Sequence, residues 1–495
     1  MTTQSLLDRS IGFTNPNHVV RSTATRLIYA LQPSAVNFTH PSQPSLDETL
    51  PAHVSGVNAL TIDKFEGRYL LSGGADSSLS IWDLERPLTN PPPPSDDDTT
   101  KPTPTYHPLA TLPKSTTSSA LGITELTFYP FDSLAFLTSS YDHTVKLYNS
   151  ETLRPSASFD LDSVVYNIAL SPIASHLLVA CATQHPAVRL IDLRSGASTH
   201  SLAGHTGAIL STAWSPVREH VLASGATDGS VRFWDIRRSA SELGVLDLED
   251  AVGCLPSARH NPSIAGFTGS GGATGRAQAQ AHRGPVNGLL WTEDGAHLIS
   301  CGHDARIRVW DTYSGANTLA NFGPMVRNKG LAPCVPVLVP ERFTEKGKDV
   351  LWYPNEHEVL GYELFEGKLV RRLRRVERAQ MQSETQGQDR AQEGTARIRR
   401  KGKGKGGSIG VGAGGRNAKD RITALAWRAH DVEMYSAHAD GTIAAWKPRT
   451  EEDARLDEEE DDERDGREEG KKRKRGVLED IYQDLTKRKI TFGGI

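Results

Sequence analysis

This sequence of 495 residues is poor in cysteine, and it lacks both a strong net charge and a long apolar run. Its cysteines, Cys181, Cys254, Cys301 and Cys334, are scattered without a CxxC pair. That distribution supports neither a zinc site nor a disulfide framework, and it favours a reducing compartment. The formal net charge is only −4, so overall charge gives no reason to expect nucleic-acid binding.

Targeting segments and enzyme signatures are also missing from the sequence. No apolar run approaches the roughly 18 residues that a membrane span needs. The opening residues, MTTQSLLDRSIGF, lack the basic and then apolar layout of a signal peptide. No phosphate-binding GxxxxGK[ST], no HExxH and no GxSxG motif on a strand–turn–helix occurs. We therefore expect a soluble intracellular protein that is not an enzyme and has neither a metal nor a cofactor.

What the sequence does contain is a repeat. Residues 53–83, 205–235 and 282–311 each begin with His, continue through two strand-like runs, and end on an Asp turn and a third run closing in Trp-Asp. Six residues separate the turn residue from the aromatic in four strong copies: Asp76–Trp82, Asp228–Trp234, Asp304–Trp310 and Asp440–Trp446. Three weaker copies keep the interval: Asp142–Tyr148, His185–Ile191 and Glu356–Tyr362.

Repeats of this length, with about four short strands each, are typical of WD-repeat β-propellers. The sequence therefore predicts an all-β, seven-bladed propeller with an N-terminal helix, disordered insertions and a C-terminal tail. The seventh copy has no fourth strand of its own, since an acidic run follows "TIAAWKPR". We expect an N-terminal strand near residues 34–40, SAVNFTH, to supply it and close the ring.

The predicted organisation has three parts: a helical segment 1–32, the propeller 33–450 and a charged, mostly disordered tail 451–495. Low-complexity insertions at 86–105, 249–280 and 376–419 interrupt the propeller, and they lack core-forming residues. The first is expected between the third and fourth strands of its blade. The other two are expected between blades, on the side of the ring away from the first insertion.

Recurring His, Ser and Asp residues suggest two alternatives, a hydrolytic triad or a structural network. The sets are His53, Ser72, Asp76 and Trp82; His205, Ser224, Asp228 and Trp234; and His282, Ser300, Asp304 and Trp310. An enzyme has no use for three copies of its triad in one ring. We therefore interpret the sets as tetrads in which buried polar groups satisfy one another.

Two Asp-x-Arg boxes do not recur around the ring. Asp235-Ile236-Arg237 follows Trp234, and the preceding copy keeps Asp192-Leu193-Arg194. An isolated arginine of this kind is expected to pair with its own aspartate in solvent. Two on adjacent blades point from neighbouring positions on one face, where a guanidinium can grip a partner's carboxylate or carbonyl groups.

Residues 15–31, NPNHVVRSTATRLIYAL, predict an amphipathic helix capped at Asn15 or Asn17. Its expected apolar face is Val20, Ala24, Leu27, Ile28 and Leu31. Two alternatives remain open: the helix packs on the ring, or it fits a groove in a partner.

The stretches AVRLIDLRSG, GHTGAILSTAWSPVREHVLASGATDGSVRFWDIRR and GPVNGLLWTEDGAHLISCGHDARIRVWDTYSGANTLANFG resemble the Cockayne syndrome A family. The resemblance runs over about residues 11–448, and it is loose in the sixth repeat. It implies a non-catalytic substrate receptor of a cullin-4 E3 ubiquitin ligase in transcription-coupled nucleotide excision repair. The expected alternative is a WD-repeat scaffold in another nuclear complex, for chromatin or RNA processing.

The partners implied by the resemblance are the ligase adaptor, which is the large subunit of the damaged-DNA-binding complex, a Cockayne syndrome B-type ATPase and RNA polymerase II. Cullin-4 and its RING subunit would join indirectly, and direct DNA contact and membrane contact are not expected. The residues assigned to adaptor binding are Arg21, Arg26, Leu27, Asp192, Arg194, Trp234, Asp235 and Arg237.

The C-terminal part of the sequence has segregated charge. An acidic run at 451–470 precedes KKRKR, which is Lys471, Lys472, Arg473, Lys474 and Arg475. A basic cluster of this kind is typical of a nuclear localisation signal, and the alternative is a solvated tail. We therefore expect the protein in the nucleus.

Overall fold

Seven antiparallel sheets form the blades of a β-propeller, as the repeat spacing predicts. The computed structural model describes residue 7, residues 10–12, 15–34, 36–40, 51–87, 104–114, 119, 121–173, 175–238, 242–248, 279–375 and 421–449. Most of the three predicted insertions and all of the predicted tail lie outside these residues.

The N-terminal helix α1 (Pro16–Tyr29) begins as the sequence predicts. The side chain of Asn15 caps it by accepting a hydrogen bond from the backbone N–H of Asn17, and Pro16 occupies the first turn. Strands β1 (Leu31–Ser34) and β2 (Asn37–Phe38) follow directly.

Blades 1 to 4 each contain four strands in chain order. Blade 1 comprises β3 (Val57–Ile62), β4 (Tyr69–Gly74), β5 (Leu79–Asp83) and β7 (Pro108–Leu112), while β6 (Thr105–Tyr106) pairs with β2. Blade 2 comprises β8 (Ile123–Phe128), β9 (Ala135–Ser140), β10 (Thr144–Asn149) and β11 (Pro155–Asp160). Blade 3 comprises β12 (Val165–Leu170), β13 (Leu178–Thr183), β14 (Ala187–Asp192) and β15 (Ala197–Ala203). Blade 4 comprises β16 (Ile209–Trp214), β17 (Val221–Ala226), β18 (Val231–Asp235) and β19 (Glu242–Val245).

Blades 5 to 7 depart from this regular pattern. Blade 5 has three strands, β20 (Val286–Trp291), β21 (His297–Gly302) and β22 (Arg306–Asp311). Blade 6 comprises β23 (Val337–Leu338), β24 (Val350–Pro354), β25 (Glu358–Glu363) and β26 (Leu369–Arg374). Blade 7 comprises β27 (Ile422–Arg428), β28 (Glu433–His438) and β29 (Ile443–Pro448), and its fourth strand is β1.

The ring is therefore closed by an N-terminal strand, but not by the one expected. The closing strand is Leu31–Ser34, whereas Asn37–Phe38, inside the expected 34–40, pairs in parallel with Thr105–Tyr106. A propeller boundary at residue 33 would divide this strand. The helix and the propeller belong to one unit, Met1–Lys447, and Pro448–Ile495 forms another.

The apolar core is divided among the blade interfaces. The buried apolar residues form seven clusters, and each cluster joins two adjacent blades. The innermost strands line a central channel of about 450 Å³. No helix in the described part of the chain is long and apolar enough to cross a membrane.

Candidate protein-binding site

The six-residue interval of the repeat comes from a turn built by its aspartate. In blade 4 the carboxylate of Asp228 accepts the backbone N–H of Ser230 at 2.9 Å, and Gly229 between them has φ +78°. Asx-type turns of this kind favour aspartate, and the left-handed conformation favours glycine. The same contact and a positive φ recur at Asp76, Asp142, Asp304 and Asp440.

The tetrad residues of blade 4 form a hydrogen-bonded chain. The indole Nε1 of Trp234 donates to Ser224 Oγ at 2.7 Å, and Ser224 Oγ lies 2.7 Å from His205 Nε2. His205 Nδ1 reaches Ser230 Oγ at 2.9 Å and Asp228 Oδ2 at 3.4 Å.

Blades 1 and 5 contain the same hydrogen-bonded tetrad, but the contact between its histidine and its aspartate differs. In blade 5, His282 Nδ1 contacts Asp304 Oδ1 directly at 2.9 Å, with Ser300 and Trp310 in their expected places. In blade 1, Ser78 stands between His53 and Asp76, while Ser72 and Trp82 complete the chain.

A fourth chain, in blade 7, was missed by the sequence reasoning. Trp446 Nε1 donates to Ser436 Oγ at 2.9 Å, and Ser436 Oγ lies 3.0 Å from His438 Nε2. The histidine comes from the second strand instead of the segment before the first strand. The spacing Ser436-x-His438-x-Asp440 is the signal that identifies it.

The tetrads cannot serve a substrate, because their central groups are inaccessible. Ser72, Ser224, Ser300 and the three tryptophans are fully buried. Burial lowers the pKa of His53 to about 4, and it lowers the pKa values of His205 and His282 as well. Burial alone would raise the pKa of Asp228, but hydrogen bonds from His205 and Ser230 outweigh it and hold that pKa below the ordinary value. The histidines are therefore neutral at pH 7 and structural.

We expect the protein to lose stability as the pH falls from about 6.5 to about 4. Above the unfolded pKa of a histidine whose folded pKa is lowered, the histidine is neutral in both the folded and the unfolded chain, so the free energy of unfolding does not change with pH. Below that pKa the unfolded chain binds the proton more readily than the folded chain, so the free energy of unfolding decreases. For His53 the folded pKa of about 4 corresponds to a loss of about 3 kcal/mol across this window. Urea unfolding at several pH values measures the effect.

The matched variant for this titration is His53→Gln, which should show a shallower loss of unfolding free energy over the same window. Glu125 acts in the opposite direction, since burial raises its pKa to about 7. Comparing the two proteins cancels the contribution of Glu125. Parallel curves for the two proteins would contradict the assignment of a neutral, buried His53.

The two Asp-x-Arg boxes lie on one face of the ring. Asp192 pairs with Leu178 and Asp235 pairs with Val221, so each third strand ends beside the start of the second strand. We call the side that carries the turns after the first and third strands of every blade the arginine face. The other side, with the turns after the second and fourth strands, is the opposite face.

Arg237 is oriented by the aspartate of its own box. Its Nε and one terminal nitrogen donate to the two carboxylate oxygens of Asp235 at 3.1 and 2.9 Å. This pair lowers the pKa of Asp235, and the Arg237 side chain stays 64% exposed. Asp235 and Trp234 are buried and Ile236 is half-buried, so Arg237 is the one exposed side chain of this box. Its remaining N–H groups are held in one orientation.

Arg194 differs from Arg237. Asp192 accepts the backbone N–H of Arg194 at 2.9 Å, and the Arg194 side chain is exposed with no ion pair among the described residues. The structure thus gives one arginine held in place and one available to move, at equivalent positions of neighbouring blades.

Helix α1 packs on blade 6. Tyr29 donates to Glu363 Oε1 at 3.0 Å, Arg371 donates to the Tyr29 carbonyl at 2.6 Å, and Thr25 Oγ1 accepts the N–H of Glu345 at 3.2 Å. Ile28 is fully buried in the cluster between blades 6 and 7.

The side chains of α1 that were assigned to adaptor binding have different environments. Leu27 packs partly against the same cluster, Arg21 is half-buried and Arg26 is exposed. Val20, expected on the packed face, is 54% exposed. Val20 lies in the first half of α1, whereas the hydrogen bonds of Thr25 and Tyr29 attach the second half to blade 6.

An arc of exposed apolar side chains on the arginine face was also missed. Phe65, Phe131, Ile173 and Val217 each stand three residues after the first strand of blades 1 to 4, with 46% to 58% of each exposed. The equivalent residue of blade 5 is Asp294. Recurrence of an apolar residue at one turn position was the available signal. Exposed apolar patches of this kind mark contact surfaces.

Two other expectations concern metals and targeting. Nowhere in the described residues do three or more His, Cys, Asp or Glu side chains meet as a metal site. The predicted nuclear signal, residues 471–475, lies outside the described residues.

Comparison with known sequences gives matches to WD-repeat proteins. The WD domain, G-beta repeat, matches residues 45–83, 107–149, 196–235 and 276–311, and each match ends with a third strand. The WD repeat-containing protein ATCSA-1 of Arabidopsis thaliana is 32% identical over 377 residues, which cover 66% of this chain and 80% of that protein.

More distant relatives have other names. Radiation-sensitive protein 28 of Saccharomyces cerevisiae is 26% identical over 209 residues, 39% of this chain and 38% of that protein. Ribosome biogenesis protein ytm1 of Aspergillus fumigatus is 28% identical over 323 residues, 61% of this chain and 62% of that protein. The chain spans less than two thirds of the length of both.

Proposed function

Because this chain belongs to the family of WD-repeat β-propeller proteins, we propose that it is a nuclear, non-catalytic receptor subunit of a cullin-4 E3 ubiquitin ligase. In this role it docks on the ligase adaptor, the large subunit of the damaged-DNA-binding complex. It then recruits a Cockayne syndrome B-type ATPase and RNA polymerase II machinery in transcription-coupled nucleotide excision repair. The observation that carries the proposal is the pair of exposed arginines on neighbouring blades, supported by the relative named ATCSA-1.

The arginine face has the composition of a protein-binding surface. A guanidinium already paired on one edge needs little further ordering to bind a carbonyl or carboxylate, which lowers the entropic cost of binding. The apolar arc formed by Phe65, Phe131, Ile173 and Val217 lies on the same face and supplies area to bury. Arginine and apolar anchors of this kind dominate the energetics of many interfaces.

The N-terminal segment offers a second contact. With the inner side of α1 packed on blade 6, an adaptor meets only its outer side, where Val20 and Arg26 are exposed. Leu7 and Ile11 precede the helix and are 59% and 65% exposed. Exposed apolar residues beside an arginine suit a groove that accepts a helical segment.

We expect the double variant Arg194→Glu with Arg237→Glu to bind purified adaptor roughly a thousandfold more weakly than the unaltered chain, since central arginines often contribute about 2 kcal/mol each. Arg194→Glu alone breaks no ion pair among the described residues, so it tests adaptor binding by the arginine face without disturbing the fold. Biolayer interferometry measures the affinity for the adaptor. The variant Val20→Asp tests adaptor binding by α1 with the same measurement.

The matched control carries the same charge change on the opposite face. Arg327→Glu with Lys329→Glu replaces two largely exposed cations there and should leave adaptor binding unchanged. Unaltered adaptor binding by the Arg194 and Arg237 variants would overturn the docking mode, and absence of any adaptor affinity would overturn the function.

A second candidate function is a scaffold in another nuclear assembly, for chromatin or RNA processing. It is favoured by the relatives named as ribosome biogenesis proteins, at 25% to 28% identity. Affinity purification of the tagged chain after a transcription-blocking lesion separates the two. Recovery of pre-ribosomal or chromatin proteins without cullin or ubiquitin components would support the scaffold.

A further inference from the structure

The opposite face departs from the repeat at blades 5 to 7. The chain after β22 forms no regular fourth strand: it pairs briefly with β22, at Asn317 and Thr318. Farther along, residues 327–334 lie on the opposite face beside the first residues of β27 and the turn between β24 and β25. Asn287 fixes this segment by donating to the carbonyls of Gly330 at 2.9 Å and Ala332 at 2.8 Å. His303 Nε2 donates to the same Gly330 carbonyl at 2.7 Å. These hydrogen bonds hold the segment in one position, where it forms one wall of a cavity.

This wall encloses a cavity between blades 5, 6 and 7. The cavity has a volume of about 430 Å³, and its far side is the start of β27 and the turn between β24 and β25. A second cavity of about 440 Å³ adjoins it along Arg327, Asn355 and Glu356 and extends to the end of β26. Together they form one elongated concave surface.

Cations outnumber carboxylates on this surface. Its lining includes six basic side chains, Arg327, Lys329, Arg372, Arg374, Arg375 and Arg421. Against them it has two carboxylates, Glu356 and Glu358. Thus four positive charges are in excess within the lining.

Arg375 pairs at 3.7 Å with Asp440, which lies outside the lining, so three positive charges of the excess remain. Glu356 is shared by Arg327 at 3.7 Å and Lys329 at 4.0 Å, so neither cation has a carboxylate of its own. Glu358 is likewise shared by Arg372 at 2.9 Å and Arg374 at 2.7 Å. Arg327, Lys329 and Arg374 remain more than 60% exposed. A ligand carboxylate can bind these cations without breaking a one-to-one pair.

We propose that this surface binds an acidic peptide segment of a partner protein, with Asp or Glu side chains on Arg327, Lys329 and Arg421. Arginine forks match carboxylates in geometry. Ala332, Pro333 and Ile422 supply apolar contacts for the rest of such a peptide. The lining has no Phe, Tyr or Trp ring on which nucleic-acid bases stack, which favours a peptide over a single strand. This inference goes beyond the proposed function and is independent of it, because adaptor docking uses the arginine face.

The test is fluorescence anisotropy on the full chain with a short labelled peptide rich in Asp and Glu. We expect binding that weakens as salt rises, and no binding of the matching Asn- and Gln-rich peptide. Arg327→Glu with Lys329→Glu should weaken binding by at least about tenfold, as reversal of contacting charges does at electrostatic interfaces. The double variant Arg194→Glu with Arg237→Glu is the matched control and should keep it.

Three results would overturn the proposal. One is equal binding of the acidic peptide by the Arg327 and Lys329 variant and the unaltered chain. Another is no measurable binding of the peptide at low salt. The third is tighter binding of labelled single-stranded DNA than of the peptide, lost in the same variant, which would assign the surface to nucleic acid. Thermal melting of each variant verifies that the exposed substitutions leave the fold intact.

Discussion

A chain that starts at Val36 is expected to lose its closed ring and to aggregate. It lacks β1, so the edge of β29 becomes unpaired and open to other chains. It also lacks Ile28 and Leu31, which are fully buried. Burial of each aliphatic side chain contributes about 1.5–3 kcal/mol, so the two together contribute about 3–6 kcal/mol, a large part of the stability of a typical domain. Thermal unfolding and size-exclusion chromatography measure the outcome.

The matched control for this truncation is a chain that starts at Asn15. It keeps the cap of α1, the helix and β1, and it should melt within a few degrees of the full chain. The truncation at Val36 therefore cannot be used to test adaptor docking, because it removes part of the fold. A chain that starts at Val36 and melts like the full protein would show that blade 7 does not need its N-terminal strand.

Replacement of Trp234 by alanine is the second large effect we expect, at about 3–5 kcal/mol of unfolding free energy. Trp234 is fully buried in the cluster between blades 3 and 4. Its indole N–H donates to Ser224 Oγ, which in turn contacts His205 Nε2. Trp234→Phe keeps most of the volume and removes this donor, for an expected loss of about 1–3 kcal/mol. Urea unfolding at pH 7 measures both.

Trp352 provides the matched comparison. It is also fully buried, but its Nε1 has no hydrogen-bond partner in the described structure. Trp352→Phe removes an unsatisfied donor, so its cost should be clearly smaller than that of Trp234→Phe. Equal losses for the two substitutions would mean that the indole bond to Ser224 contributes nothing beyond packing.

The seven-bladed fold was predictable because the six-residue interval has a mechanical cause. In five of the seven blades an aspartate turn, a left-handed residue and a strand of nearly fixed length place the aromatic at the same position of the third strand. Even the weak copy from Glu356 to Tyr362 lies on a true third strand. The Tyr362 hydroxyl has no hydrogen-bond partner in the described structure, so the backbone pattern survives there without the side-chain network.

The closing strand was predicted in the wrong place because its sequence gives little strand signal. Leu31–Ser34 reads LQPS, with a proline inside it, whereas Ala35–Phe38 is richer in strand formers. Proline is tolerated because β1 lies at the outer edge of its blade. Strand preference therefore placed the closing strand three to six residues too far along the chain.

The candidate binding surfaces were only partly predictable. Local motifs identify Arg194 and Arg237, because they follow a fixed turn. The cavity on the opposite face needs Arg327, Glu356 and Arg421 from three different parts of the chain. No spacing along the sequence relates them, since their proximity comes only from the closure of the ring.

The pairing of β1 with β29 also determines when the ring can close during synthesis of the chain. Ser34 leaves the ribosome 409 residues before Ile443, by subtraction of their positions, and at roughly 5–20 residues per second that gap is roughly 20–80 s. During this time β1 lacks its partner strand β29 in blade 7. The segment that closes the ring is thus made first and paired last, so the ring cannot close until the final blade has been synthesised.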